Sequence, residues 1–256
     1  MTIFSWNVNG IRSAERKGFI PWLLASGADV ACIQETKARP EQLPPPLRSP
    51  ASGAVSYQSF WASAEKPGYS GTALYSRLPP DRVDTLGVPR FDAEGRMLAA
   101  HYGDTVVVSA YFPNSQEGGA RLPYKLDFCA AMLDFCAALV SGGKHVVLCG
   151  DYNIAHKPID LKNPKANEGS PGYLPEERAW LDSFVAAGFA DTFRHFCAEG
   201  DRYTWWSYRA RAREKNVGWR IDYQCVDEAF LPSVASSEIC VSVPGSDHCP
   251  ICLTTR

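Results

Sequence analysis

Short apolar runs of strand length follow one another along this chain, with too few helices between them for a simple parallel fold. They are Ile3–Asn7, Ala28–Gln34, Gln58–Ala62, Gly71–Ser76, Met97–Tyr102, Val106–Phe112, Val146–Cys149, Ile221–Val226 and Cys249–Thr254. Apolar residues spaced by three or four predict helices at Phe19–Ala25, Tyr124–Val140 and Glu176–Ala187, the last with Pro175 at its first turn. Strands and helices alternate only in part. The pattern predicts an α+β chain, with mixed sheets covered by helices. Its 256 residues, 45% of them hydrophobic, suffice for a full core. Pro40–Gly53 is a Pro-rich connection, and "HKPIDLKNPKANEGSPGYLP" (His156–Pro175) is a long stretch without period. A loop of that length inside a compact domain is usually functional.

Charge narrows the classes of function. The net charge is −2 and the pI near 6.2, so any surface that binds a polyanion must be local. No apolar run approaches a membrane span, and the chain opens on "MTIFSWNVNG", strand-like from the start, which argues against a leader. Nine cysteines is an odd number. Cys32, Cys149 and Cys225 lie in apolar runs, and Cys129 and Cys136 share a helix pattern. These suit reduced core thiols of a cytoplasmic protein. Cys249 and Cys252 form a C-x-x-C that lacks the second ligand pair a zinc site needs.

Several strands end in polar residues that a scaffold alone would not need. "KHVVLCGDYNIAH" delivers Asp151 and Asn153 at the end of an apolar strand; residues two apart on an extended chain point the same way. A Gly-Asp-Asn turn is the plainer reading of that stretch. "SWNVNGIR" presents Asn7 and Asn9, with Arg12 beyond. "VACIQETK" presents Glu35 and Lys37, which could simply pair. "VVSAYFPNSQ" ends in Tyr111 and Asn114. "GWRIDYQ" places Asp222 within a strand, where it needs a partner such as Arg220, and "GSDHCPI" supplies Asp247 and His248. Hard oxygen ligands suit Mg²⁺ or Mn²⁺, neutral amides hold phosphate oxygens without repulsion, and a His–Asp pair gives an oriented imidazole. Together these groups suit metal-assisted phosphodiester hydrolysis.

From "SWNVNGIR" to "SDHCPI" the chain resembles the exodeoxyribonuclease III / AP endonuclease family of the DNase I-like endonuclease–exonuclease–phosphatase superfamily. "GDYNIAH" matches the superfamily's G-D-x-N motif, and "WNVNGIR", "IDLKNPKAN" and "KNVGWRIDY" point to its DNA-repair branch. The resemblance implies a four-layer α/β sandwich, two packed mixed β-sheets flanked by helices, as a single domain over residues 1–256. It implies Glu35 as the main ligand of Mg²⁺, for which Mn²⁺ substitutes, with Asn9 and Asp247 nearby and Asp151, Asn153 and His248 also within the metal's surroundings. Asp151 and Asn153 hold or activate the attacking water, Tyr111 and Asn114 bind the scissile phosphate, and His248, paired with Asp222, stabilises its charge. Asn7 shapes the site. Arg12, Tyr69, Asn163 and Asn167 fall where the family touches DNA, and Trp205 and Trp219 where it lines a pocket for an extruded sugar. Asn9 stands where some members carry Asp, which implies a weaker second metal site. "ANEGSPGY" lacks the basic and amide character common in that loop, and Glu117 stands where some members place a basic wedge.

"YRARAREK" adds Arg209, Arg211, Arg213 and Lys215 between aromatic runs, a pattern suited to backbone neutralisation and an unstacked nucleotide. The expectation is a monomeric DNA-repair nuclease acting on double-stranded DNA at abasic sites, at 3′ ends, or both. Two alternatives compete with it. One is another DNase I-like phosphodiesterase, an RNA deadenylase or inositol-phosphate phosphatase; "GWRIDYQ" argues against the latter. The other is a catalytically dead nucleic-acid binder, which predicts gaps in the polar constellation, and none is present.

Overall fold

A computed structural model describes residues 1–256. In chain order the first half forms β1 (Thr2–Asn7), α1 (Ile11–Arg16), α2 (Phe19–Ala25), β2 (Val30–Gln34), α3 (Pro45–Arg48), β3 (Ala51–Ser52), β4 (Val55–Ser56), β5 (Gln58–Ala62), β6 (Thr72–Ser76), β7 (Arg82–Asp84), α4 (Pro89–Asp92), β8 (Met97–Tyr102) and β9 (Thr105–Tyr111). Then follow α5 (Leu122–Ser141), β10 (His145–Asp151), α6 (Pro175–Ala186), β11 (Phe189–Asp191), α7 (Thr192–Phe196), β12 (Asp222–Asp227), β13 (Val234–Ile239) and β14 (Ile251–Thr255).

Two six-stranded sheets result, in the orders β13-β14-β1-β2-β6-β5 and β11-β12-β10-β9-β8-β7. Each has one parallel pair at its centre, β1 with β2 and β10 with β9, and antiparallel pairing elsewhere. The two sheets therefore share one pairing pattern although the sequence holds no repeat.

Residues of alternating parity explain the layers. Ile3, Val30, Cys32, Leu74, Val107, Val147, Cys149, Val226 and Leu253 meet in the seam between the sheets. Val146 and Leu148 face the other way, onto Phe128, Cys129 and Met132 of α5 and Leu181 and Phe184 of α6. Phe4 and Trp6 face outward from the first sheet onto Phe19 and Leu23 of α2. Helix, sheet, sheet, helix is the expected four-layer sandwich. Both faces of the central strands are covered, which is why they are continuous apolar runs.

The seam changes character at one end. Along β1 the inward residues run Ile3, Ser5, Asn7; along β10 they run Val147, Cys149, Asp151; along β12, read backwards, Val226, Gln224, Asp222. The register places Tyr111, Asp151 and Asp222 side by side on β9, β10 and β12. Gly150 is required just before Asp151: its φ is 154°, and a Cβ there would lie 1.8 Å from the Ala110 carbonyl oxygen.

Candidate active site

The polar end of the seam opens into a cleft of about 400 Å³. Glu35, Asn9 and Asp247 line one wall; Tyr111, Asn114, Asp151, Asn153 and His248 line the other; Trp205 and Trp219 close it. Asn7 and Asp222 stand behind these groups and hold them.

Two matching turns build the site, one at the end of each central strand. At β1, Asn7 Oδ1 accepts the Asn9 backbone N–H at 2.9 Å and Asn9 turns left-handed, φ 45°. At β10, Asp151 Oδ1 accepts the Asn153 N–H at 2.8 Å and Asn153 turns left-handed, φ 51°. Asp151 and Asn153 thus converge through a side-chain-capped turn, not through the two-residue alternation of an extended strand. Both sequence readings of that stretch hold in part: the turn is real, and it is what brings the groups together. Asn7 joins the sheets, its Nδ2 donating to Asp151 Oδ2 at 2.9 Å and to Glu35 Oε2 at 3.0 Å.

Asp222 pairs with His248, not with Arg220. Its Oδ2 lies 2.9 Å from His248 Nδ1, while Nε2 lies 3.9 Å from Asp151 Oδ2. Burial opposes protonation of His248, but the charge and hydrogen bond of Asp222, reinforced by Asp151 and Asp247, outweigh it and raise the imidazole to about 10. Burial raises Asp151 to about 7 against the pull of His248. For Asp247, burial is outweighed by His248 and by hydrogen bonds from Asn9 and the Trp205 indole, so its carboxyl is held below its usual value. Tyr111 keeps its phenolic proton: burial, then the charges of Glu35 and Asp151, push it far up.

Cation ligands are present in two arrangements. Ligand-type atoms of Asp151, Asp222 and His248 lie within 4.8 Å of one another. Asp222 Oδ2 and His248 Nδ1 engage each other, which leaves His248 Nε2, 3.9 Å from Asp151 Oδ2, as the ring's second nitrogen at the cleft. Glu35 and Asn9 offer a second set of oxygens. Glu35 Oε1 holds the Lys37 ammonium at 2.8 Å, and Asn9 Oδ1 accepts from the same Nζ. That ammonium is a stand-in showing where positive charge is favoured, and the donors around it are hard oxygens. The expected Glu35–Lys37 pair therefore exists, but inside the cleft, and Lys37 belongs to the site that sequence reasoning gave only to Glu35.

The expected DNA-contact residues divide. Trp205 and Trp219 form the end wall, edge to face at 6.4 Å between ring centroids, with the Trp205 Nε1 donating to Asp247 Oδ2 at 3.1 Å. Arg12, Tyr69, Asn163, Asn167 and Arg209 are outside the cleft lining. Arg12 and Arg209 are exposed, the former donating to Gln42. The Tyr69 hydroxyl accepts from Arg96 and Arg121. Asn163 opens a turn with φ 58°. Asn167 spends its amide on the carbonyls of Lys162 and Asn163, so it shapes the loop. The basic cluster shrinks for the same reason. Arg213 donates to the Val241, Val243 and Ser246 carbonyls over the Trp206 ring, and Arg211 pairs with Glu214. The Arg213 commitment is not visible in a sequence, because its partners are distant backbone carbonyls; the Arg211–Glu214 pair, three residues apart, is.

Paired sheets whose seam ends in carboxylates, amides and an acid-paired imidazole define a hydrolase of phosphate esters. The chain belongs to the endonuclease/exonuclease/phosphatase family, whose model matches residues 4–248. Within it, the chain is 42% identical over 254 residues to an exodeoxyribonuclease of Bacillus subtilis, covering 98% of each. It is 41% identical to the DNA repair nuclease APEX1 of Danio rerio, covering 99% of this chain and 81% of that one. Its structure superposes on the AP endonuclease LMAP of Leishmania major with a TM-score of 0.88 at 27% identity, covering 100% of this chain and 87% of that one.

Proposed function

We propose that this protein is a Mg²⁺-dependent DNA-repair nuclease. It hydrolyses the phosphodiester 5′ to an abasic site in double-stranded DNA, removes nucleotides or blocking groups from 3′ ends, or does both. It acts as a monomer in the cytoplasm; the nine cysteines, all free, agree with that compartment. No helix is long and apolar enough to cross a membrane. The observation that carries the reading is the constellation at the seam: His248 held by Asp222 at 2.9 Å with its Nε2 3.9 Å from Asp151, and Asn7 tying Asp151 to Glu35 across the cleft.

Glu35, Asn9 and Asp247 are the residues that would hold the cation, with Asp151 and Asn153 bordering it. When bound, Mg²⁺ or Mn²⁺ supplies charge neutralisation at the phosphate oxygens. The chain's own groups do the rest. Asp151 takes the proton of the attacking water, and its two oxygens are fixed by hydrogen bonds from Asn7 and Asn153. His248 and the neutral Tyr111 donate to the phosphate as its charge grows, and Asn114 positions it. Trp205 and Trp219 accept the abasic sugar, which has no base to hold it in the helix and flips out at low cost.

A gel assay with two duplexes tests this reading. One carries an internal abasic analogue, the other is intact with a recessed 3′ end. Incision 5′ to the analogue with Mg²⁺, stopped by chelator, is expected. A protein that binds both duplexes and cleaves neither would be a binder only.

A further inference from the structure

A buried ion pair lies behind the cleft, and none of the steps above uses it. Lys125 on α5 and Glu177 in the first turn of α6 are both fully buried, with Nζ 2.7 Å from Oε1. Two helices could be joined as well by apolar side chains, because taking both charges out of water is costly. The pair's remaining hydrogen bonds show what it does instead. Each ends on a segment that builds the cleft.

Lys125 Nζ donates to the Asn153 carbonyl at 2.7 Å. Asn153 is the left-handed residue that caps Asp151, and its side chain also donates to the Phe112 carbonyl at 3.1 Å and accepts from Asn114 at 3.0 Å. Glu177 Oε1 accepts the hydroxyl of Ser115, the neighbour of Asn114. Glu177 Oε2 accepts the Leu174 N–H at 2.9 Å, ending the Pro171–Gly172 segment of the cleft wall. That segment packs on the same peptide: a Cβ on Gly172 would stand 3.1 Å from the Asn153 oxygen.

We propose that Lys125, Glu177 and Ser115 form a positioning hub. It fixes the Asn153 peptide, the Asn114 turn and the Pro171–Gly172 wall relative to one another, and so sets turnover without touching DNA or cation. Misplacement of a reacting group by about an ångström can cost roughly a hundredfold in rate, so the hub acts on kcat. The turnover part rests on the nuclease reading above; the geometric part does not.

The test uses Lys125→Met combined with Glu177→Gln, which removes both charges together and leaves no lone buried one, and Ser115→Ala as a milder variant. The double variant is expected to lose roughly 10- to 100-fold in kcat on the abasic duplex, with KM unchanged. Its amides at Asn153, Ala155 and Leu174 exchange faster with solvent while the remaining core amides do not, and its melting temperature falls by no more than about 5 °C. Ser115→Ala gives a smaller kcat loss of the same kind. Unchanged kcat in the double variant, or faster exchange spread over the whole core, would overturn the hub. A wild-type protein without activity on either duplex would sink the nuclease reading, and the exchange data would still decide the geometric part.

Discussion

At the residue scale the chemistry rests on two buried titrating groups that their surroundings both raise, Asp151 by burial and His248 by Asp222 against burial. Asp151→Asn keeps shape and hydrogen bonding but removes the base. The expected cost is roughly 10²- to 10⁴-fold in kcat, with duplex affinity little changed, as gel-shift and single-turnover assays would show. His248 is raised as well, by Asp222 against burial. Its folded value, about 10, lies above that of a free imidazole, so its protonated state and the stability this contributes persist through neutrality. Both are lost as pH rises through about 10. Asp222→Asn removes the main cause and should bring the alkaline limb of the rate profile down towards the ordinary imidazole range of ~6.5. NMR titration of the His248 ring in both proteins, without metal, checks this: an unshifted midpoint would detach Asp222 from the role. These residue roles were partly legible. Asp151, Asn153, Asp222, Asp247 and His248 stand out as polar residues at the ends of apolar runs. The Asp222–His248 pair is implied by the family resemblance and not by local spacing, which offers Arg220 equally; Arg220 is instead claimed by Asp160 and Asp191.

At the element scale, long apolar strands announce themselves and short or polar ones do not. Gln58–Ala62 and Met97–Tyr102 match their sequence runs end for end, and most others differ by a residue or two. β3, β4, β7, β11 and β13 have no counterpart among the sequence runs; β3 and β4 are two-residue strands at and just after the Pro-rich connection. β7 and β11 have three residues each, and β13, "VASSEI", is a half-exposed edge strand with little apolar content. α1 escaped for a similar reason, being a single six-residue segment with two buried positions. The long loop from His156 carries its own anchor. Asp160 is buried between Arg220 and Arg194. Burial alone would raise its pKa, but the two guanidinium groups outweigh it and hold the carboxyl below its usual value. The stability this lends is present above the unfolded value of ~3.9 and is lost as pH falls through the lower folded one. Asp160→Asn leaves the buried Arg220 with Asp191 as its remaining carboxylate and should cost up to ~3 kcal/mol at neutral pH, measured by denaturant unfolding. The difference from wild type should shrink only in strong acid.

At the scale of the whole molecule, the apolar seam draws on both sheets, and neither sheet has a second core to fall back on at that face. One cooperative unfolding transition over residues 1–256 is therefore expected; two separate calorimetric transitions would contradict it. The paired architecture also explains why the site is where it is. The seam is the one place where the ends of β1, β9, β10 and β12 face each other, and the same parity that packs Ile3 and Val147 together delivers Asn7 and Asp151 at their ends. Substrate choice belongs to this scale as well, since the end wall joins segments far apart in sequence. Trp205→Ala and Trp219→Ala should lower the ratio of abasic to intact-duplex cleavage with a modest fall in melting temperature. An unchanged ratio in a protein destabilised by ~3–5 kcal/mol would assign both rings to packing alone.

The central claim is that this seam cleaves DNA by a cation-assisted reaction in which Asp151 is the base. Single-turnover incision of a duplex with one abasic analogue tests it most directly, with wild type and Asp151→Asn compared in Mg²⁺ and in excess chelator. The account predicts incision by wild type in Mg²⁺ and none in chelator. It predicts that Asp151→Asn binds the duplex normally and cleaves it roughly 10²- to 10⁴-fold more slowly. Undiminished incision in chelator, or a variant as fast as wild type, would contradict it.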